Sequence, residues 1–231
     1  MRITAIASSI GAALLACAST NSDVVYVDSN DTLVAGAAEL IDLDGNGTTD
    51  FQVYYGSASG WGSFVAVGPI QTFAGNGVGA NYSGLYTTGY DNGDVFGPDE
   101  IIRLEPSLAI FKSNSGVVQG AWAAIGAEHY AGLRLLKDGQ FHYGWLRLRN
   151  ASGVTGMYIL DHAYETTPDL PIMIGDGLPV AGDLDGDGLV DGVDLGLLLG
   201  AWGPCTSCAA DLDGNGAVDG ADLGLLLANW G

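Results

Sequence analysis

Basic side chains are scarce in this sequence. Lys and Arg together number 7 among 231 residues, against 27 Asp and Glu, and the formal net charge at pH 7 is −20. A surface of this sign repels nucleic-acid phosphates and anionic membrane surfaces, and it attracts cations. We therefore expect no nucleic-acid partner, and we look for residues that bind a cation.

Glutamate and long apolar segments are also scarce. Only five of the acidic residues are Glu. Aspartate, which supplies the rest, favours turns and metal-binding loops. Together with 37 Gly, this composition predicts strands joined by tight turns. Beyond the first 20 residues no apolar run reaches the roughly 20 residues that a membrane-spanning helix needs, so we expect no membrane span.

The first 20 residues have the pattern of an export signal. Arg2 supplies a positive charge, residues 3–16 are apolar, and Ala16-Cys17-Ala18 fits a small-residue cleavage site. Residues 14–17 also resemble a bacterial lipobox, in which Cys17 carries a lipid. Both interpretations predict an exported protein, extracellular or at the cell surface, and the second adds a lipid anchor at Cys17.

The chain has three Cys, and the two outside the signal are Cys205 and Cys208. In the oxidising compartments that exported proteins enter, this pair predicts a disulfide in a loop. A redox or zinc site is the alternative, but zinc needs further ligands and neither His nor a third Cys lies nearby.

Residues 23–175 have the pattern of a β domain, because short runs of β-branched and aromatic residues alternate with Gly, Asn and Asp turns. The runs are 24–27, 51–55, 64–67, 101–104, 120–125, 143–148 and 157–160. Strands of this length and spacing predict an antiparallel β-sandwich of the jelly-roll type, with a closed barrel as the alternative. Residues 176–181 have the composition of a linker, and residues 182–231 are predicted to form a small all-α domain.

The C-terminal segment contains a duplication with a period of 28 residues. Residues 183–203 and 211–231 share 16 identities over 21 aligned positions. Each copy begins with a twelve-residue loop in which Asp recurs at alternate positions, followed by Leu-Gly-Leu-Leu-Leu and a Trp. The pattern predicts two short helices that pack together through equivalent apolar faces. These faces are Leu195, Leu198, Leu199 and Trp202, and Leu223, Leu226, Leu227 and Trp230.

The loop spacing matches the needs of calcium, which takes six to eight oxygen ligands. Positions 1, 3, 5, 9 and 12 supply side-chain oxygens, position 6 is a Gly at a sharp turn, and position 7 supplies a backbone carbonyl. In the first loop the ligands are Asp183, Asp185, Asp187, Leu189, Asp191 and Asp194. In the second loop they are Asp211, Asp213, Asn215, Ala217, Asp219 and Asp222.

Nine acidic residues and no Lys or Arg lie in residues 182–231. Without cations such a cluster would repel itself. We therefore predict two bound Ca²⁺ ions. Magnesium fits less well, because it usually keeps several waters and takes few protein oxygens.

Two such loops, each followed by a single helix, resemble the type I dockerin repeat over about a quarter of the chain. The resemblance implies an EF-hand-like calcium site in each repeat. It also implies a secreted protein that docks onto a cohesin-like partner in a polysaccharide-degrading or cell-surface system. The sequence departs from the family at loop positions 10 and 11, where Gly192-Val193 and Gly220-Ala221 replace polar pairs. This departure leaves the identity of the protein partner open.

A third Asp-rich loop, residues 42–50, repeats the first nine positions and runs directly into the strand-like segment at 51–55. It resembles the calcium loops between strands of integrin-like β repeats. The third ion would be held by Asp42, Asp44, Asn46, the Thr48 carbonyl and Asp50. Position 12 of this loop is Val53, which carries no carboxylate. The alternative to a calcium site is an Asx-rich turn that holds no ion.

No catalytic motif is present. His129, His142 and His162 have no neighbouring nucleophile motif, and the chain lacks GxSxG, HExxH and phosphate-loop patterns. A glycosidase needs two facing carboxyls. The carboxylates that could supply them are Glu100, Glu105, Glu128, Asp161 and Glu165.

The segments 141–148 and 159–165 loosely resemble uncharacterised exported bacterial β-sandwich proteins, which implies a lectin-like or structural sandwich. We predict a non-enzymatic calcium-binding protein that attaches to other secreted or surface components. The alternatives are a carbohydrate-active enzyme that hydrolyses O-glycosyl bonds and a carbohydrate-binding protein that contacts polysaccharide. Trp61, Trp122 and Trp145 are either core residues or sugar-stacking platforms.

Overall fold

The computed structural model describes residues 24–60, 62–70, 75–81, 86–205 and 207–231. The predicted signal at 1–20, with Cys17, lies outside the described residues, and so does Trp61. In the described part of the chain, no helix is long and apolar enough to cross a membrane.

The fold is mainly β, as predicted, and two short helices lie near the C-terminal end. The strands are β1 (Val24–Val34), β2 (Glu39–Ile41), β3 (Phe51–Ala58), β4 (Gly62–Pro69), β5 (Gly77–Gly79), β6 (Val95–Phe96), β7 (Ile102–Arg103), β8 (Ser107–Ser113), β9 (Val118–Gln119), β10 (Glu128–Lys137), β11 (Gln140–Asn150), β12 (Met157–Glu165), β13 (Ile172–Met173), β14 (Gly203–Pro204) and β15 (Ala217–Val218). The helices are α1 (Gly192–Gly200) and α2 (Gly220–Ala228).

Most strands belong to two antiparallel sheets. A six-stranded sheet has the order β1-β12-β11-β10-β5-β7, and a five-stranded sheet has the order β2-β3-β4-β8-β9. The pairs β13-β6 and β14-β15 form two small sheets. At the centre of the larger sheet, β10 and β11 pair without interruption to Lys137 opposite Gln140. The turn between them is Asp138-Gly139, and both residues have positive φ (+52° and +80°), as a two-residue hairpin turn requires.

One hydrophobic cluster contains side chains from both large sheets. Val53, Val65 and Ile110 come from the five-stranded sheet, and Leu133 and Leu146 come from the six-stranded sheet; all are at most 1% exposed. Successive side chains of a strand point to opposite faces of the sheet. Since these residues point into the core, their sequence neighbours lie on the opposite face of each sheet.

A second cluster covers the other face of the six-stranded sheet. Trp145 on β11 packs there with Phe96 on β6 and Ile172 on β13. A Cβ at Gly132 would lie 2.4 Å from the ring of Phe96, so the close approach of this ring requires glycine. The indole Nε1 of Trp145 donates to the carbonyl of Asp176 at 3.1 Å. Strand β11 is therefore buried on both faces over residues 142–146.

Six of the seven predicted strand runs overlap strands, and the prediction for 120–125 is wrong, since these residues form turns. Their apolar character comes from Trp122, which is fully buried and whose Nε1 donates to the Leu148 carbonyl at 2.9 Å. The sequence patterns missed nine of the described strands, of which β8 and β10 are the longest. Trp122 and Trp145 are both core residues, at 0% exposure.

We predict that Trp145→Ala destabilises the β domain by about 3–5 kcal/mol, because it leaves a large cavity and an unpaired carbonyl. Urea unfolding followed by far-UV circular dichroism measures the change. Trp202→Ala is the matched control, since Trp202 is 50% exposed and its loss should change stability by about 0.5 kcal/mol or less. Equal effects of the two substitutions would contradict the assignment of Trp145 to the core.

Candidate metal centres

Three clusters of carboxylates could hold a metal ion. They are Asp42, Asp44 and Asp50; Asp183, Asp185 and Asp187; and Asp211, Asp213 and Asp222. In each cluster one oxygen from every residue lies within 4.8 Å of the others. The spacing along the sequence therefore does bring oxygen ligands together in all three predicted loops.

Glycines make the loops tight enough for this convergence. Gly186 and Gly188 in the first C-terminal loop have φ of +79° and +88°, and Gly214 and Gly216 in the second have +71° and +92°. Other residues adopt such angles only with strain. No heavy atom lies within 4 Å of where a Cβ would stand at these four glycines, so backbone conformation alone selects glycine here.

Backbone amides donate to the side-chain oxygens of positions 1 and 5 in the same scheme in all three loops. The position 1 carboxylate accepts the amide of the position 6 Gly, at 2.9 Å for Asp183, 2.8 Å for Asp211 and 2.7 Å for Asp42. The position 5 side chain accepts the amide of position 7. These pairs are Leu189 to Asp187, Ala217 to Asn215 and Thr48 to Asn46, at 2.8–2.9 Å. The residues predicted to offer position 7 carbonyls are thus held in the loop through their amides.

The position 12 carboxylates close the C-terminal loops. Asp194 and Asp222 are both fully buried. Asp222 Oδ1 accepts the amides of Leu212 and Asp213, and its Oδ2 accepts the amide of Asp219. Asp194 accepts the equivalent three amides of its own loop. These hydrogen bonds, led by the one from position 9, lower the pKa of both carboxyls below the ordinary value.

The aspartates at position 9, which were predicted to be calcium ligands, also begin the helices. Asp191 and Asp219 are the N-cap residues of α1 and α2, and their side chains accept the amides of Val193 and Ala221. Each forms a capping box with the position 12 carboxylate. Neither belongs to a metal cluster in the structure. A sequence signal existed, since Asp followed three residues later by an acidic residue before an apolar run is typical of a helix start.

Asn215 also differs from the aspartates around it. Its side-chain nitrogen donates to Asp213 Oδ2 at 2.9 Å, while its oxygen accepts the amide of position 7. Its counterpart in the first loop, Asp187, is a carboxylate and belongs to the cluster there.

The loop at 42–50 is closed by a different residue. Asp50, at position 9, is 3% exposed and accepts the amide of Leu43 at 2.9 Å. This bond matches the bond from position 2 to position 12 in the C-terminal loops. Burial, together with the charges of Asp44 and Asp42, raises the pKa of Asp50 to about 6. The expectation that this loop lacks a closing carboxylate is therefore wrong, because Asp50 takes that role.

A lysine also contacts the loop at 42–50. Lys137 Nζ lies 3.0 Å from Asp44 Oδ2. Burial alone would raise the pKa of Asp44, but the Lys137 ammonium and the hydrogen bonds from Asn46 together lower this pKa below the ordinary value. Residues 182–231 contain no Lys or Arg, so no such partner can come from within their own segment.

The two C-terminal repeats pair reciprocally. In one direction Gly203, which follows α1, pairs with Val218 in the second loop. In the other, the amide of Gly231, which follows α2, donates to the carbonyl of Val190 in the first loop at 3.2 Å. Leu198 and Leu226 lie at 0% exposure in the shared core.

Cys205 and Cys208 form a disulfide, as predicted. Both cysteines lie in the segment that connects the first repeat to the second.

The predicted apolar helix faces are only partly correct. Leu198 and Leu226 are buried, and Leu195 and Leu223 are partly buried. The remaining members stay about half exposed, at 47–51%: Leu199, Trp202, Leu227 and Trp230. The helices end at Gly200 and Ala228, so each Trp lies beyond the helix.

The carboxylates considered for catalysis are engaged elsewhere. Arg147 forms ion pairs with both Glu128 and Asp161, and Asp161 also accepts the Tyr26 hydroxyl. Glu100, Glu105 and Glu165 contact Tyr90, Arg103 and the Thr167 amide, respectively.

The histidines are also held by neighbouring groups. His129 pairs with Asp91, His142 donates to the Glu165 carbonyl, and His162 is buried beside Ser29. Ser29 Oγ lies 3.4 Å from His162 Nδ1, which is a long contact between a hydroxyl and a ring nitrogen.

Searches of protein-family models, of curated proteins and of solved structures found no match to this chain. The three loops and their surroundings are therefore the basis for inferring a function.

We predict that Asp222→Asn lowers the melting temperature of the C-terminal helices by several degrees both with calcium and with chelator. The amide nitrogen would face backbone donors, so closure and capping are lost whether or not an ion is bound. Thermal unfolding followed at 222 nm measures this. Asp213→Asn is the matched control, because Asp213 is exposed and should matter only when calcium is present. If Asp222→Asn had no effect in chelator, the closing role would be wrong.

Proposed function

We propose that the two C-terminal loops bind calcium, and that the domain they organise attaches this exported protein to a protein partner. The observation that carries the proposal is the convergence of carboxylate oxygens in two duplicated loops that contain no basic residue. The large number of protein oxygens favours calcium over magnesium. When bound, calcium would supply the charge that lets these carboxylates stay together.

The fold supports a separate attachment domain. We propose that the two large sheets are the layers of a β-sandwich, because they share one core cluster. Residues 182–231 have a core of their own, built on Val190, Leu198, Val218 and Leu226. A core of this size contributes little stability alone, so bound metal would contribute directly to folding.

Exposed apolar side chains on this domain support docking to a protein. Val193, Leu197, Trp202, Leu225 and Trp230 are 41–54% exposed. Aromatic residues exposed in this way are common in protein interfaces. Two calcium ions would neutralise only four of the nine acidic charges, which favours a partner with basic residues around an apolar surface. A cohesin-like partner, which the dockerin resemblance implies, is one such candidate.

Calcium removal tests the first part of the proposal. The full chain should bind calcium in isothermal titration, and chelator should reduce its helical signal in far-UV circular dichroism. Asp183→Asn and Asp211→Asn should each weaken one site by about tenfold or more, because a charged ligand is lost. Asp99→Asn, at an exposed position outside the loops, is the control. A spectrum that chelator leaves unchanged, with no heat of binding, would overturn the proposal.

A second candidate function is carbohydrate binding by the β domain. Val53, Val65 and Ile110 point into the core, so Tyr54, Phe64 and Phe111 lie on the outer face of the five-stranded sheet. Phe64 stands opposite Phe111 in the sheet, and its ring centroid is 6.0 Å from that of Tyr54. The three rings form an aromatic strip of the kind that stacks against the apolar faces of sugar rings.

For this candidate we predict that Tyr54→Ala and Phe111→Ala abolish retardation of the protein in gels that contain soluble polysaccharides. Tyr158→Ala is the control, because Tyr158 is a partly buried tyrosine on the six-stranded sheet. Equal retardation of all variants would contradict a role of the strip. Release of reducing sugar by the wild-type protein would instead support the enzymatic alternative.

A further inference from the structure

The ammonium group of Lys137, on a distant strand of the same chain, contacts the loop at 42–50. Lys137 Nζ lies 3.0 Å from Asp44 Oδ2, and the Asp44 side chain is only 1% exposed. Asp44 is the position 3 residue, which in a calcium loop gives its oxygen to the ion. An ammonium group therefore binds the buried oxygen that a calcium ion would need.

The position of Lys137 is set by the six-stranded sheet. It is the last residue of β10 and adjoins the Asp138-Gly139 turn, which holds it in place. Its ammonium also contacts Tyr164 on β12, 3.3 Å from the hydroxyl and 5.3 Å from the ring centroid. These contacts direct the side chain toward the loop.

The loop and the lysine come from different sheets. Residues 42–50 connect β2 and β3 of the five-stranded sheet, whereas Lys137 belongs to the six-stranded sheet. A cavity of about 330 Å³ separates the loop from the hairpin turn, and Asp44, Asp50, Lys137 and Asp138 are among the residues that line it. The ion pair thus connects the two sheets at one end of the β domain.

We propose that the Lys137 ammonium takes the place of calcium in the loop at 42–50, so that this loop is closed without a metal ion and fastens the two sheets together. A divalent ion on the same carboxylate oxygen would be repelled by the ammonium and would have to displace it. The loop also has fewer acidic residues than the others. It has three, whereas the loop at 183–194 has five and the loop at 211–222 has four.

The test is the number of calcium ions that the full chain binds in equilibrium dialysis. The wild-type protein should bind two, and Lys137→Met, which keeps most of the side chain's length but removes its charge, should bind three. The added site should disappear in the double variant Lys137→Met with Asp42→Asn. Lys112→Met is the matched control, since Lys112 and Lys137 are the only lysines in the chain, and it should bind two.

The outcome is independent of calcium binding by the C-terminal loops. If those loops bind no calcium, both counts fall by two, but the difference of one ion between Lys137→Met and wild type remains. Three ions on the wild-type protein, or equal counts on wild type and Lys137→Met, would overturn the proposal.

A second measurement needs no substitution. Reductive methylation followed by mass spectrometry should modify Lys112 faster than Lys137, and the rate at Lys137 should be the same in calcium and in chelator. Faster methylation of Lys137 in calcium would show that the ion displaces it, and would refute the proposal even if Lys137→Met fails to fold.

Discussion

Repulsion between neighbouring carboxylates is the constraint on which the loops of this protein depend. Three loops each bring carboxylate oxygens of three residues within 4.8 Å of one another. Like charges at this distance disfavour the folded loop unless other groups stabilise them. Backbone amides do so in all three loops through the same hydrogen bond from position 6 to position 1, and in the loop at 183–194 also through the bond from position 7 to the position 5 carboxylate. These bonds shape the loop, and a bound cation of the kind proposed above would balance the remaining negative charge.

The element that follows each loop decides which carboxylate closes it. In the C-terminal loops the chain continues as a helix, so position 9 becomes the N-cap and position 12 turns back to the start of the loop. After residues 42–50 the chain continues as the extended strand β3, which carries Val53 at position 12 into the core at 0% exposure. Asp50 at position 9 is then the residue near enough to accept the Leu43 amide. One sequence pattern thus gives two kinds of closure.

Local spacing in the sequence predicted the mainly β fold, six of the fifteen described strands and the convergence of positions 1 and 3 in each loop. It failed where distant contacts decide the outcome. The pairing of Lys137 with Asp44 joins two sheets, and no periodicity reports such a contact. Residues 120–125 resemble a strand because they include the apolar Trp122. These residues form turns, and the Trp122 side chain packs into the core from there. Leu199 and Trp202 follow the apolar pattern of the helix, but α1 is too short to bring both into the core.

The reciprocal pairing of the C-terminal repeats has a consequence for how they respond to ions. Val190 in the first loop is bound by Gly231 at the end of the second repeat, and Val218 in the second loop is paired with Gly203 at the end of the first. Neither repeat completes its own backbone hydrogen bonding. Ordering one loop therefore lowers the entropy cost of ordering the other, which is the condition for positive cooperativity. If the two loops bind ions as proposed, assembly of the domain would respond steeply to a change in ion concentration.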